Sequence, residues 1–428
     1  MKVIVYNFLW MFGDRIFKML LALFVGVWIV RYFGPAYYGK FNYVTAWLSI
    51  FSILIPLGTE SILVSEFVKY ESERDSLLAS GFLMYLISSI FFSLLALVFI
   101  YFARSDDYES LSICLVLLIP NFLRSFTIPK YYFESVLKVK KIVIIENSYL
   151  ILFSVIKILF LYFKVKPIIF IWMFALEGIF ISLTIFIYYN LSHSLFRIAG
   201  YSILRIKDLI SKSFPLLLAN LSVIAYMKMD QIMVGNLVGD RNLGIYSVAV
   251  RISEMWYFIP MAIASSFYPM LIKTFADNSV KYYKILQTLH CYLFLLSLCL
   301  AIFIQFFGTT IVHILYGEQF RMSAEILKVH IWTGVFVFLG VAGSNDLIIR
   351  ELQKHSLYKS LFGLTINLIL NWLLIPGYGI FGAAIATLIS QVASSTLYYL
   401  IPSDTRVLFN IQFNCLKIWK YPAMLRVS

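Results

Sequence analysis

Apolar runs of helix length, repeated along almost the whole chain, leave few folds open to it. Twelve can be read, at roughly 8–30, 41–63, 78–102, 110–128, 142–163, 167–189, 209–238, 243–270, 284–307, 325–348, 358–376 and 380–401. Hydrocarbon offers no partner for a backbone N–H or C=O, so a chain that buries such segments in a bilayer must satisfy those groups inside helices. The composition agrees, with 61% hydrophobic and only 13% charged residues; soluble domains carry roughly half and a quarter. No segment is long and polar enough to fold as a separate soluble domain. The first run holds Asp14, Arg15 and Lys18 and lacks a small-residue cleavage site, so it is expected to be a retained helix and not a signal peptide. The expected fold class is an all-α integral membrane protein of about twelve transmembrane helices.

The formal charge of +13 becomes informative once it is sorted by side. With the N-terminus placed inside, the inside segments hold twenty-two Lys and Arg residues, including Arg124, Lys130, Lys138, Lys140, Lys141, Arg205, Lys212, Arg350, Lys354 and Lys359. The outside segments hold seven: Arg31, Lys40, Arg104, Lys164, Lys166, Arg241 and Arg321. This bias places both termini in the cytoplasm. The basic excess thus reports topology and gives no support for nucleic-acid binding.

The chain also repeats itself. Gly34-Pro35-Ala36-Tyr37-Tyr38-Gly39, followed by Phe41 and Val44, lines up with Gly239-Asp240-Arg241-Asn242-Leu243-Gly244, followed by Tyr246 and Ala249. In both copies a helix-length run ends at the first glycine and a longer one begins after the second. The predicted organisation is a six-helix bundle over 1–189, a cytoplasmic linker over 190–208, a second six-helix bundle over 209–401 and a cytoplasmic tail over 402–428. An even number of helices per half makes the relation a pseudo-two-fold rotation about the membrane normal, as in transporters built from parallel repeats. The tail is expected to lie on the membrane surface. Gly382-Ala383-Ala384 and Ala386 offer small residues for close helix approach.

An ionisable group at the centre of a membrane helix costs roughly 2.5–3.5 kcal/mol on insertion scales, so such residues face a partner or a wet cavity. The set comprises Asp14, Arg15 and Lys18 in the first run, Lys157, Glu177, Lys228 and Asp230, then Arg251 and Glu254. Two readings fit. Asp14 with Lys18 and Arg251 with Glu254 have the spacing of internal ion pairs. Alternatively, the cations converge on the midline as an anion site, because Arg presents a donor fork to phosphate oxygens and Lys a compact charge. On that reading Arg15, Lys18, Lys228 and Arg251 bind substrate, and Asp14, Glu177, Asp230 and Glu254 couple transport to H+ or Na+. Lys157 is expected to snorkel to an interface, Glu177 to stand alone, and Glu60, Glu146 and Asp346 to be interfacial. The four cysteines show no CxxC spacing, the five histidines no HExxH, and no GxxxxGK[ST] occurs; neither a metal site, a disulfide framework, a P-loop nor a catalytic residue is expected.

Met229-Asp230-Gln231-Ile232-Met233-Val234-Gly235, Gly239-x4-Gly244-Ile245-Tyr246-x2-Ala249 and Arg251-x2-Glu254-x4-Phe258-Ile259-Pro260 resemble the second-half signature of O-antigen (Wzx-type) flippases. These belong to the polysaccharide biosynthesis family of the superfamily that also contains multidrug and toxin extrusion transporters and lipid II flippases. Tyr32-Phe33-Gly34-Pro35-x3-Gly39 resembles the first-half loop. Ile375-Pro376-x-Tyr378-Gly379-Ile380-x-Gly382-Ala383-Ala384 resembles the last hairpin. Tyr131-Tyr132-Phe133-Glu134-x3-Lys138 is similar to the loop after helix four, with Glu134-Ser135 where Gln-Gly is frequent. The resemblance implies two bundles in the inner membrane that move an undecaprenyl-diphosphate-linked oligosaccharide to the periplasmic leaflet by alternating access. It implies no cofactor beyond a coupling ion. Its implied partners are the membrane lipids and, downstream in lipopolysaccharide assembly, an O-antigen polymerase and chain-length regulator. The rival readings are a multidrug exporter of the same superfamily, a membrane-bound polymerase or acyltransferase, and a scaffold of the assembly machinery. The absence of a large outside loop weighs against a polymerase.

Overall fold

A computed structural model gives the fold; it describes residues 2–193 and 196–415, without the side chains of residues 2–16, 19, 20 and 22. Among the described residues the secondary structure is helical throughout. The chain divides into two compact units, residues 1–224 and 225–428. The first holds α1 (Lys2–Ser52), α2 (Glu60–Lys69), α3 (Arg74–Ala103), α4 (Tyr108–Phe122), α5 (Ile128–Ser135), α6 (Val139–Tyr162) and α7 (Pro167–Ser192). It also takes in the predicted linker and the first part of α8 (Ile203–Val238). The second unit holds the rest of α8, α9 (Asp240–Glu254), α10 (Phe258–Asp277), α11 (Ser279–Tyr316), α12 (Arg321–His330), α13 (Thr333–Ile349), α14 (Lys354–Ser395) and α15 (Arg406–Cys415).

The helices are apolar on nearly all sides, so sidedness comes from the small and polar residues. In α3 the buried positions include Ser80, Gly81, Ser88, Ser89, Ser93 and Ala96, while Ile87, Phe91, Leu94 and Val98 point outward. This inverts the soluble pattern, because lipid tails solvate large apolar side chains and small residues let helices approach. At the last hairpin Gly382 packs directly on the Leu374 carbonyl, where a methyl group has no room. An apolar cluster in the first unit gathers Leu63, Leu77, Tyr85, Phe133 and Tyr189. One in the second gathers Leu271, Tyr282, Leu289, Phe338 and Tyr399, with Leu408 and Ile411 of α15 joining it. The described part of the predicted surface tail is therefore docked on its bundle; the remainder, 416–428, lies outside the described residues.

Among the described residues seven helices are long and apolar enough to cross a membrane, and nine when two bent pairs are counted as single spans. The twelve predicted runs reappear once α14 is divided at Gly379 and the two legs of α1 are added. What the periodicity did not give is where runs break. The predicted 41–63 helix stops at Ser52 and resumes at Glu60. Pro56 lacks an N–H, Gly58 takes φ +73°, and Gly58 packs against the α8 backbone at Ser213 and Leu217. Freed carbonyls are answered by hydroxyls: Ser88 donates to Ile55 O at 2.6 Å and Thr59 to Pro56 O at 2.6 Å. Similar breaks bend α4 into α5 by 44° and α12 into α13 by 46°.

The sequence repeat has a backbone counterpart. Gly34 (φ 69°, ψ 171°) kinks α1 and Gly239 (φ 85°, ψ 169°) separates α8 from α9. Both occupy a region open essentially to glycine alone, and each is followed by a residue suited to a helix start, Pro35 and Asp240. A Cβ at Gly239 meets nothing within 4 Å, so Gly239→Ala tests conformation without sterics. Its melting in detergent should show a loss of about 1–3 kcal/mol. Gly377→Ala, also in open space but in helical backbone, should be neutral or slightly stabilising.

Next to the first of these turns, Lys40 donates to Asp107 Oδ1 at 2.9 Å and Glu109 Oε2 at 2.8 Å. Burial alone would raise the Asp107 carboxyl, but hydrogen bonds from Lys40 and Ser110 outweigh it and hold it below its usual value. Burial lowers the Lys40 ammonium less than its two carboxylate partners raise it. The clamp is thus fully formed between about pH 4 and pH 10. Its Asp107 part is lost as pH falls through the depressed folded value, and its Lys40 part as pH rises through the raised one. Asp107→Asn should lower stability by at most about 1 kcal/mol near neutrality, and the difference from wild type should vanish in acid; a melting series against pH reads both.

Candidate functional site

The charged residues expected inside the membrane behave differently in the two units. In the first, every such side chain that is described has a partner. Lys18 of α1 pairs with Glu146 of α6 at 2.5 Å, and Lys130 takes the other carboxylate oxygen at 2.7 Å. Lys157 pairs with Glu177 across α6 and α7 at 2.6 Å, and its ammonium also lies 4.0 Å from the Phe174 ring centroid. Two expectations change here: Lys157 does not snorkel, being 4% exposed, and Glu177 does not stand alone. Sequence spacing along one helix cannot show a partner on the next, and within hydrocarbon the ion pair costs less than either charge separately. The side chains of Asp14 and Arg15 lie outside the described residues.

In the second unit, Lys228 and Asp230 project from α8 and Arg251 and Glu254 from the last turn of α9. Among the described residues no ion pair joins Arg251 to Glu254. Lys228 acts electrostatically on both Asp230 and Glu254 without approaching either within ion-pair distance. Asp346, near the end of α13, is fully buried within its unit; it accepts from Tyr282 at 2.7 Å and pairs with Arg350 at 3.4 Å.

Asp230 is the centre of a buried oxygen-rich network that the ionisable residues alone did not reveal. It is 3% exposed. Tyr246 donates to its Oδ2 at 2.5 Å, the Gln231 amide to its Oδ1 at 2.7 Å, and Thr387 Oγ1 stands 3.5 Å from Oδ2. Thr387 also donates to Ala383 O at 2.9 Å and its own carbonyl accepts from Ser390. Asn367 donates to Ser390, and Asn371 to Asn367 Oδ1 at 2.9 Å, while the buried Asn371 Oδ1 has no donor among the described residues. A carboxylate this deep depends on these donors and on the charge of Lys228 for its compensation. The groups around the carboxylate are oxygens and one backbone N–H, with none of the imidazole or thiolate a transition metal prefers. The signal for the network in the sequence was the Asn367/Asn371 pair, four apart in an otherwise apolar run.

The polysaccharide biosynthesis protein model matches residues 4–275, well over half of the chain. The protein belongs to that family. A MatE model also matches, over residues 215–373. The chain is 24% identical to capsular polysaccharide biosynthesis protein CapF of Staphylococcus aureus over 92% of this chain and 98% of that one. It is 31% identical to the probable flippase AglR of Haloferax volcanii over 42% of this chain and 38% of that one. Among solved structures, the lipid II flippase MurJ in an inward closed conformation matches with a TM-score of 0.73 at 16% identity, covering 97% of this chain and 92% of that one. An inward-facing multidrug resistance MATE family transporter of the MOP superfamily matches equally, at 0.73 and 16%, covering 96% of each chain. The family therefore has here the all-helical, multi-pass membrane fold of those transporters, in agreement with the motif resemblance.

The Lys157–Glu177 pair separates a structural from a coupling role for Glu177. Lys157→Met alone strands a buried carboxylate and should cost about 3–5 kcal/mol of stability, most of which Lys157→Met combined with Glu177→Leu should recover. Thermal melting checks both. Function in the double variant assigns Glu177 to structure; loss of function despite recovered stability assigns it to coupling.

Proposed function

We propose that this protein is a flippase for a lipid-linked oligosaccharide, carrying undecaprenyl-diphosphate-linked O-antigen-type repeat units from the cytoplasmic to the periplasmic leaflet of the bacterial inner membrane. The observation that carries the reading is Lys228: a cation on the family's signature helix with no carboxylate within ion-pair distance among the described residues. A half-buried ammonium of this kind favours a phosphate oxygen. The names of CapF, AglR and MurJ support the same substrate class. Lys228 and Arg251 hold the diphosphate, with Arg15 and Lys18; Lys18 contributes by exchanging Glu146 for phosphate. The bundles rock between inward- and outward-open states about the bound headgroup, and the polyprenyl tail stays in lipid. Asp230 takes up a proton or Na+ in the Tyr246, Thr387 and asparagine network and couples its release to the transition. Glu254 and Asp14 stand close enough in sequence to the cations to share that role. A polymerase with its chain-length regulator consumes the product.

The MATE likeness supports a second reading, export of small drugs. A deletion in the native host decides between them. The flippase reading expects undecaprenyl-diphosphate oligosaccharide to accumulate by mass spectrometry and surface polysaccharide to disappear, both restored by the wild-type gene. Lys228→Ala should restore polysaccharide at least about tenfold less well, a loss of about 1.4 kcal/mol, at equal protein level, and Asp230→Asn should abolish any dependence on pH or Na+. Unchanged lipid intermediates together with new drug sensitivity would overturn the flippase in favour of the exporter.

A further inference from the structure

A second basic site lies in the same unit. Lys359, near the start of α14, donates to Ser344 Oγ of α13 at 2.8 Å and to the Tyr399 hydroxyl at 3.4 Å. The three come from separate elements, since Tyr399 belongs to the 3-10 turn 397–400. The turn reaches α13 because two glycines make room: a Cβ on Gly343 would lie 2.7 Å from the Tyr399 hydroxyl, and one on Gly340 2.7 Å from Ser395 Oγ. Tyr399 is fully buried and Lys359 half-buried.

The donors here exceed the acceptors. A lysine ammonium carries three N–H groups, and two are used. Ser344 spends its own proton on Gly340 O at 2.8 Å, so it only accepts from Lys359. Tyr399 accepts from Lys359, and among the described residues nothing accepts the Tyr399 proton. Of the carboxylates at this end of the bundle, Asp346 is hydrogen-bonded by Arg350 and Tyr282 and reaches Tyr399 only through its charge, Asp404 is held by His355 at 3.1 Å, and Glu351 and Asp277 are exposed. Among the described residues no carboxylate pairs with Lys359. One ammonium proton and one phenolic proton thus adjoin each other without an acceptor, under a positive charge. Such an arrangement is complementary to an oxyanion, and it lies at the predicted cytoplasmic end of α14, where a lipid-linked substrate would be loaded.

We propose that Lys359 and Tyr399, with Ser344 fixing the lysine, form a phosphate-holding site that takes the diphosphate of the lipid-linked substrate before transfer to the mid-span cations. The proposal rests on the flippase reading and adds a loading site to it. It gives the protein two phosphate stations along one bundle, one near the membrane surface and one in mid-span.

The test uses the purified full-length chain in nanodiscs, with undecaprenyl diphosphate as probe, undecaprenol as its uncharged control, and retention of phosphatidylglycerol followed by native mass spectrometry. Lys359→Met should weaken undecaprenyl diphosphate binding at least about tenfold, Tyr399→Phe about threefold, and Lys359→Arg should keep most of it. Without ligand, Lys359→Met should melt no lower than wild type, because it removes a desolvated charge that no carboxylate balances. Binding by Lys359→Met within twofold of wild type would overturn the site. So would loss of phosphatidylglycerol with undecaprenyl diphosphate unchanged, which would make it a bilayer-lipid site. A lowered melting point in both lysine variants would make Lys359 a structural strut. A wild type that does not distinguish undecaprenyl diphosphate from undecaprenol would overturn the flippase reading itself, and this site with it.

Discussion

Inside a bilayer a backbone carbonyl that leaves its helix has no water to turn to, and much of this structure is arranged around that fact. Where the chain stays helical the groups satisfy one another. Where it breaks, at 53–59, a serine and a threonine supply the missing donors to Ile55 and Pro56. Serines along α3 are buried while isoleucine, leucine and phenylalanine face outward, so polar side chains concentrate where helices meet and where breaks need partners. The same inward displacement of polarity brings tyrosine, threonine and asparagine around Asp230.

The two units then treat charge in opposite ways. The first neutralises what it buries: Lys157 with Glu177, and Glu146 between Lys18 and Lys130. The second keeps its ion pairs near helix ends, as in Arg350 with Asp346 and Lys328 with Glu325. Its mid-span Lys228, Asp230 and Glu254 influence one another only at longer range. Unpaired charge in a medium of low dielectric is costly to hold, and it is also most responsive to a ligand of opposite sign. The unit matched by the MatE model through most of its length is the one that retains that responsiveness.

Much of this was legible in the chain. Span number, the paired glycine turns and the family followed from run length, the repeat at Gly34 and Gly239, and the motifs around Asp230 and Gly379. Partners across helices were not legible. Glu177 looked solitary because Lys157 is on a neighbouring helix, and Lys359 looked like one more interfacial lysine because the roles of Ser344 and Tyr399 depend on the contact made by Gly343. Helix breaks were missed for a related reason: hydropathy continues smoothly through 53–59 and 255–257, while the backbone responds to single prolines, glycines and nearby hydroxyls. Sequence reports what a segment buries; it reports poorly what that segment is buried against.

The glycine turns at 34 and 239 join long helices through a single left-handed residue. A joint that short has no slack, so the two legs on either side cannot slide along each other or spread without unwinding a turn. Flexibility within each unit is therefore displaced to the opposite kind of feature, the interrupted helices at 53–59, 255–257 and 331–332, where several residues share any change of angle. The glycine turns act as rivets and the breaks as hinges, so the chain places its stiffness and its compliance at different points along its helices.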